Sequence, residues 1–78
     1  MITYYPPKIH PLNIKAAYCL TDLNLSEIIG IDERQIRNWR AGKGNPSEQV
    51  QKLCGLLHEH FQREGIPCNH RLIKYEEE

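Results

Sequence analysis

Residues 21–47 read TDLNLSEIIGIDERQIRNWRAGKGNPS, and this stretch decides the fold. Gly30 interrupts an apolar helical pattern, and glycine readily adopts the left-handed backbone with which many helices end. Thr21 and Asp32 each stand just before a helical segment, where a side-chain oxygen can accept a hydrogen bond from a free backbone N–H. The stretch therefore predicts two short helices joined by a turn at Gly30.

The second of these helices, predicted over residues 33–41, is apolar on one face only. Ile36 and Trp39 lie three residues apart and share that face, which makes Trp39 a core residue rather than a base-stacking platform. The other positions are polar: Glu33, Arg34, Arg37, Asn38 and Arg40. A polar helix that follows a glycine turn is the arrangement in which a recognition helix enters the major groove of DNA.

Two more helices are predicted outside this stretch. A first helix covers residues 12–19, directly after Pro11, which is well tolerated at a helix start. A fourth helix is predicted to begin with Asn45 as its cap and to end near Glu64. Its apolar residues are spaced as one helical stripe: Val50, Leu53, Cys54, Leu57 and Phe61. We expect Ile36 and Trp39 to be buried against the second and fourth helices.

The predicted fold is all-α, with four to five short helices and extended terminal segments. Residues 1–11 form an N-terminal arm, residues 12–65 the helical domain, and residues 66–78 a C-terminal tail. Proline-rich sequence in the arm and apolar residues in the tail favour extended backbone, so a small strand pair between the two ends is one expectation. The glutamates at 76–78 are expected to be solvated.

Length and composition limit the function. A chain of 78 residues holds one domain and leaves little material for a catalytic cleft, so we predict no enzymatic activity and no cofactor. The three cysteines are an odd number spread along the chain, which argues against a disulfide framework, and no apolar run is long enough for a signal peptide or membrane span. These features predict a cytoplasmic protein.

The formal net charge is zero, with ten basic and ten acidic residues. A strongly basic composition would favour nucleic-acid binding, and this chain lacks it. The basic residues are nevertheless unevenly placed, and four of them fall within ten positions: Arg34, Arg37, Arg40 and Lys43. One face of the domain can therefore be basic in a neutral molecule.

Residues 25–47 resemble the helix-turn-helix of the phage repressor, Cro and XRE-type regulators. The positions that match the family pattern are Ser26, Gly30, Ile31, Ile36, Trp39, Gly42, Lys43 and Pro46. The resemblance implies a sequence-specific repressor of transcription that binds double-stranded DNA. It implies base reading by Glu33, Arg34 and Asn38, whose side chains suit cytosine, guanine and adenine respectively. It also implies phosphate contacts, from Arg37, Arg40, Lys43, Asn45 and Ser47.

Two positions depart from the family pattern. Asp22 stands where the family often has a glutamine that contacts phosphate, and a carboxylate there repels phosphate instead. Arg40 stands where the family often has glutamate, so a local ion pair is expected to be lost while a phosphate contact is gained. Asp22, the zero net charge and the acidic tail favour a second reading, a protein-interaction module such as an antitoxin or adaptor.

Two further hypotheses concern partners and metal. A single recognition helix offers about three base contacts of ~1–3 kcal/mol each, so we expect a twofold homodimer. The residues expected at the subunit contact are terminal: Tyr4, Tyr5, Leu72, Ile73 and Tyr75. A zinc site can be drawn from Cys54, His58, Cys68 and His70, but their spacing is loose and the fourth helix needs Cys54 for packing. We predict no metal site.

Overall fold

A computed structural model describes residues 5–75 and has the predicted all-α architecture. The four α-helices are α1 (Pro11–Ala17), α2 (Asp22–Ile29), α3 (Glu33–Arg40) and α4 (Glu48–Arg63). A short 3₁₀ turn, His70–Leu72, follows α4. Tyr4 and the glutamates at 76–78, for which we predicted roles in the arm and tail, lie outside the described residues.

The caps that flank α2 and α3 are those the sequence predicts. Thr21 Oγ1 accepts a hydrogen bond from the Asn24 backbone N–H at 3.0 Å. Asp32 Oδ1 accepts one from the Arg34 N–H at 2.8 Å. Gly30 ends α2 in the left-handed conformation, with φ of 71°. Because caps act within one helical turn, residue type alone located these helix ends.

The outer helices differ from the prediction at their ends. α1 begins one residue earlier, at Pro11, because His10 Nδ1 accepts from the Leu12 N–H at 3.1 Å, and it ends at Ala17. The cap of α4 is Ser47 and not Asn45, since Ser47 Oγ accepts from the Val50 N–H at 3.3 Å. Pro46 is buried ahead of this cap and is not the first helical residue.

The core is made by α1, α2, α3 and α4 together with Ile9 from the arm. Six side chains are fully buried in the described part of the chain: Ile9, Pro11, Ile14, Leu25, Ile36 and Cys54. α1 and α2 each pack against the other three α-helices. The expectation that α3 packs on α4 is wrong: within residues 5–75, α3 contacts α1 and α2, and no Cα of α3 comes within 8 Å of α4. α1 takes the place next to α3 that the prediction gave to α4.

The N-terminal arm lies along α4. The Ile9 N–H donates to the Gln51 carbonyl at 3.1 Å, and Lys8 Nζ lies 3.3 Å from Glu48 Oε1. Gly55 faces the arm at Pro7, where a Cβ would overlap the Pro7 carbonyl. The arm therefore packs as part of the domain.

The terminal strand pair considered from the sequence does not form in the described residues. Between residues 5 and 75, the β structure that joins the two ends is one isolated antiparallel bridge, between Ile9 and Tyr75. Leu72 lies in the 3₁₀ turn, which Asn69 caps by accepting the Arg71 N–H. Because this turn interrupts the extended tail, only one residue pair is left in bridging register.

Candidate nucleic-acid interface

The connection between α2 and α3 is short and internally hydrogen bonded. The Ser26 carbonyl accepts from the N–H groups of Gly30 at 2.9 Å and Ile31 at 3.2 Å. The Ser26 hydroxyl donates to the Ile31 carbonyl at 2.5 Å. These three bonds close the turn on the last residues of α2, so the direction in which α3 leaves is set by local geometry.

α3 has opposed apolar and polar faces. Ile36 is completely buried, and Trp39 is 7% exposed with its indole edge-on to the His10 ring at 6.3 Å between centroids. Arg34 and Asn38, four residues apart, lie on the side of the helix away from these two, since 3.6 residues make one turn. Arg34 is exposed and Asn38 is half-buried.

The three residues predicted to read bases do not share one environment. Arg34 is exposed and makes no ion pair within residues 5–75. The Asn38 side chain lies on the same face, one turn later. The backbone carbonyl of Asn38 accepts from the Lys43 N–H at 2.7 Å. Glu33 lies to one side, where its Oε1 is 3.4 Å from Arg37 Nη1. The structure thus groups Arg34 with Asn38 and makes Glu33 a counter-ion of Arg37.

Arg40, predicted to bind phosphate, is engaged within the domain. Its Nη1 lies 3.0 Å from Asp22 Oδ2, and Lys15 Nζ lies 3.5 Å from Asp22 Oδ1. The carboxylate of Asp22 is thus held between two cations from α1 and α3. The Arg40 side chain is 53% exposed whereas that of Asp22 is 16% exposed, so a half-exposed guanidinium covers a largely buried carboxylate.

Sequence analysis did not anticipate the Lys15–Asp22–Arg40 cluster. It treated Asp22 as an isolated repulsive charge and took the ion pair at Arg40 to be lost. The signal in the sequence was that Asp22 is the first residue of α2 and Arg40 is the last residue of α3. These oppositely charged residues come close together when α3 folds back along α2. Whether the two residues meet depends on the angle at Gly30.

The residues after α3 continue its exposed surface. Lys43 is exposed and has no ion pair in the part of the chain that the structure describes. Asn45 and Ser47 are exposed as well, but the hydroxyl of Ser47 is used to cap α4. Gln35, which the sequence analysis left out, is also exposed on the first turn of α3 and carries an amide suited to base edges.

A second polar cluster lies in the interior, away from α3. Tyr18 Oη is 2.7 Å from His58 Nδ1, and Gln62 Nε2 donates to Tyr18 Oη at 3.2 Å. The Tyr18 hydroxyl also donates to the His58 backbone carbonyl at 3.4 Å, so it is hydrogen bonded to both the ring and the backbone of His58. Burial lowers the pKa of His58 and raises the pKa of Tyr18, since both charged forms would be poorly solvated there.

The four residues considered as zinc ligands from the sequence do not come together as a ligand group. They are Cys54, His58, Cys68 and His70. Burial raises the pKa of the Cys54 thiol to about 12, which holds it in the thiol form. His58 Nδ1 is used by Tyr18, and the His58 and His70 rings are 6.5 Å apart. Among residues 5–75, no three His, Cys, Asp or Glu side chains come together in a group that could hold a metal ion.

Comparisons with known proteins do not assign a family. No protein-family model matches the chain, and no curated protein or solved structure matches it. Within the described residues, no helix has both the length and the apolar character needed to cross a bilayer. The functional argument therefore depends on the geometry of α2, the Gly30 turn and α3.

Proposed function

We propose that this protein is a sequence-specific DNA-binding repressor that reads the major groove with α3. The observation that carries the proposal is the arrangement of α3: it follows a closed three-residue turn, buries Ile36 and Trp39, and directs Arg34 and Asn38 outward. A helix of this kind, with a wholly polar outer face, fits the width of the major groove. The resemblance of residues 25–47 to repressor and Cro proteins supports the same function.

The exposed residues divide between two kinds of contact. Arg34 and Asn38 read base edges, since their forked donors and amide suit guanine and adenine. Arg37 and Lys43 contact phosphates on either side, and Arg40 joins them when it leaves Asp22. Glu33 holds Arg37 in place and has a smaller part in reading bases than the sequence suggested. The protein acts in the cytoplasm, as a homodimer, and without catalysis.

Fluorescence anisotropy with labelled duplex tests this function. Random-sequence DNA should bind weakly and lose affinity steeply as salt rises, because phosphate contacts release counterions. Selection from a random oligonucleotide pool should then yield a site that binds at least about a thousandfold more tightly. A protein that binds neither pool at low salt is not a DNA-binding protein.

Two alanine variants separate the two kinds of contact. Arg34→Ala should relax specificity at one base pair of the selected site, at a cost of ~1–3 kcal/mol. Lys43→Ala should weaken selected and random DNA about equally and reduce the salt slope by ~1. Arg71→Ala is the matched control, because Arg71 is exposed on the 3₁₀ turn, which makes no contact with α3 within residues 5–75. Equal losses for Arg34→Ala on both DNAs would make Arg34 a phosphate contact.

A protein-interaction module is the second candidate, and the ion pairs favour it. Asp22 neutralises Arg40, Glu33 neutralises Arg37, and the net charge of the chain is zero. Asp22→Asn discriminates between the candidates. For a DNA-binding protein it releases Arg40, so random-DNA affinity should rise severalfold and the salt slope should steepen by ~1. For a protein-interaction module, DNA affinity should stay negligible in both forms.

A further inference from the structure

The outer side of α4 carries two exposed leucines. Leu53 is 41% and Leu56 is 45% exposed, although both lie on the longest helix of a small domain. They share one helical face with Gln49 and His60, because steps of four, three and four residues keep the same side of a helix. We call these four residues the α4 outer face. The core-facing stripe of α4 lies on a different side and includes the buried Cys54.

A row of charges borders the α4 outer face on the side of Leu56. Glu48, Lys52, Glu59 and Arg63 alternate in sign along the helix. Lys52 Nζ already lies 3.1 Å from Glu48 Oε1 and remains 39% exposed. Read from the C-terminal end of the helix, the same row begins with a positive charge and alternates in the opposite sense. A second α4 that runs antiparallel therefore places a charge of opposite sign against each of the four residues.

We propose that the α4 outer face is the contact between two copies of this chain, packed with their α4 helices antiparallel. Such a pair places Leu53 of one protomer against the partner's Leu56, and Leu56 against the partner's Leu53. Gln49 then meets the partner's His60. The spacing of these four positions is the heptad spacing of paired helices, in which apolar residues of one helix fit between those of the other.

The bordering charges specify both the partner and the direction. In the antiparallel pair, Lys52 faces the partner's Glu59 and Glu48 faces the partner's Arg63, and twofold symmetry repeats each pair. A parallel pair would bring Glu59 near the partner's Glu64, and like charges at that distance are repulsive. Since the row is complementary to its own reverse, the surface fits a second copy of this chain.

The α4 outer face is separate from α3. Within residues 5–75 no Cα of α3 lies within 8 Å of α4, so Arg34 and Asn38 are not part of the α4 outer face. The contact differs from the terminal segments expected from sequence, of which Leu72 lies in a 3₁₀ turn. The inference rests on the surface of α4 and does not require that the protein bind DNA.

Sedimentation velocity without DNA, under reducing conditions, tests the dimer. The parent protein should dimerise in the micromolar range, and Leu53→Glu and Leu56→Glu should each weaken association by more than about tenfold. Leu23→Glu is the matched control, because Leu23 is an exposed leucine of α2 and should leave association unchanged. Circular dichroism melts verify that each variant is folded.

A charge exchange tests the antiparallel register. Lys52→Glu and Glu59→Lys should each weaken the dimer, because each places like charges opposite one another, whereas the double variant restores opposite charges and should restore association. Three results overturn the proposal: a parent protein that is monomeric throughout the micromolar range, dissociation by Leu23→Glu or Leu72→Glu in place of Leu53→Glu, and a double variant no better than its single variants.

Discussion

Gly30 and Gly55 belong to two regions of the molecule and are needed for opposite reasons. At Gly30 a Cβ would meet nothing within 4 Å, and glycine is required by the left-handed backbone. At Gly55 the backbone is ordinary helix, and glycine is required because a Cβ would overlap the Pro7 carbonyl. The first requirement is local and readable from sequence, whereas the second exists only once the arm has packed on α4.

The same contrast holds for the regions around these glycines. The turn between α2 and α3 is organised by hydrogen bonds between residues at most five positions apart, such as Ser26 to Ile31. The region of α4, the arm and the tail is organised by long-range bonds, such as Ile9 to Gln51 and Tyr18 to His58. The candidate interface on α3 is therefore formed by locally encoded structure, whereas its stability depends on contacts between residues far apart in the sequence.

Trp39→Ala should have the largest effect on the free energy of unfolding, and it acts on the α2–turn–α3 region. The variant loses a side chain that is 93% buried and leaves a cavity, at a cost of ~3–5 kcal/mol, which is a large part of the stability of a domain this size. Urea unfolding measures this loss. Arg34→Ala, on the exposed face of the same helix, is the control and should change stability little. A Trp39→Ala protein as stable as the parent would mean that α3 faces the other way.

Gly55→Ala should have the next largest effect on the free energy of unfolding, and it acts on the region of α4, the arm and the tail. Overlap with Pro7 displaces the arm from α4, and the expected loss is about 1–3 kcal/mol. Hydrogen exchange should show faster loss of the Ile9 amide proton, which bonds to Gln51 in the parent. Tyr5→Ala is the control, because Tyr5 belongs to the same arm but its side chain is 81% exposed. Stabilisation by the ~0.5–1 kcal/mol that alanine adds to a free helix would contradict the docked arm.

Gly30→Ala should cost less than Gly55→Ala, which sharpens the comparison. The added methyl group has space, so the loss is the strain of a left-handed alanine, about 1–2 kcal/mol. Gly30→Asn should recover much of this loss, because asparagine tolerates that conformation. The order of the unfolding free energies in urea decides the matter. Equal losses for alanine and asparagine would show that space, and not backbone strain, limits Gly30.

Mild acid should have the smallest effect, and through His58 it acts on the second region. His58 has a lowered pKa, so the folded protein binds fewer protons than the unfolded chain as pH falls below about 6.5. Stability should therefore fall through this range and level off once pH is below the lowered pKa. Tyr18 from α1, His70 from the 3₁₀ turn and Glu59 of α4 are the groups that surround His58.

Unfolding free energies at pH 7.5 and at successively lower pH test this dependence. His58→Gln should reduce the acid-induced loss of unfolding free energy, because the folded protein then no longer holds a histidine with a lowered pKa at this position. The surface of α3 proposed to face DNA should be insensitive to the change, because Tyr18 and His58 are not part of it. A loss of equal size in His58→Gln and the parent would assign the dependence to other groups.

Much of the candidate interface was predictable from residue type. Thr21 and Asp32 located the starts of α2 and α3, and the three-residue spacing of Ile36 and Trp39 identified the buried face of α3. The ion pair between Asp22 and Arg40 was not predictable, because the two residues are eighteen positions apart and meet only through the turn angle. The pairing of Glu33 with Arg37 follows i,i+4 spacing and was present in the sequence as a signal that the family resemblance obscured.

The sequence by itself determined the number of helices, the turn at Gly30 and the polar outer face of α3. These depend on caps, glycine and helical period, which act within about one turn of helix and do not require knowledge of the rest of the chain. Only the tertiary structure decided that α3 packs on α1, that Ser47 and not Asn45 caps α4, and that the arm needs Gly55. Each of these depends on which distant surface fills the space beside a helix, and close packing settles that choice for the whole core at once.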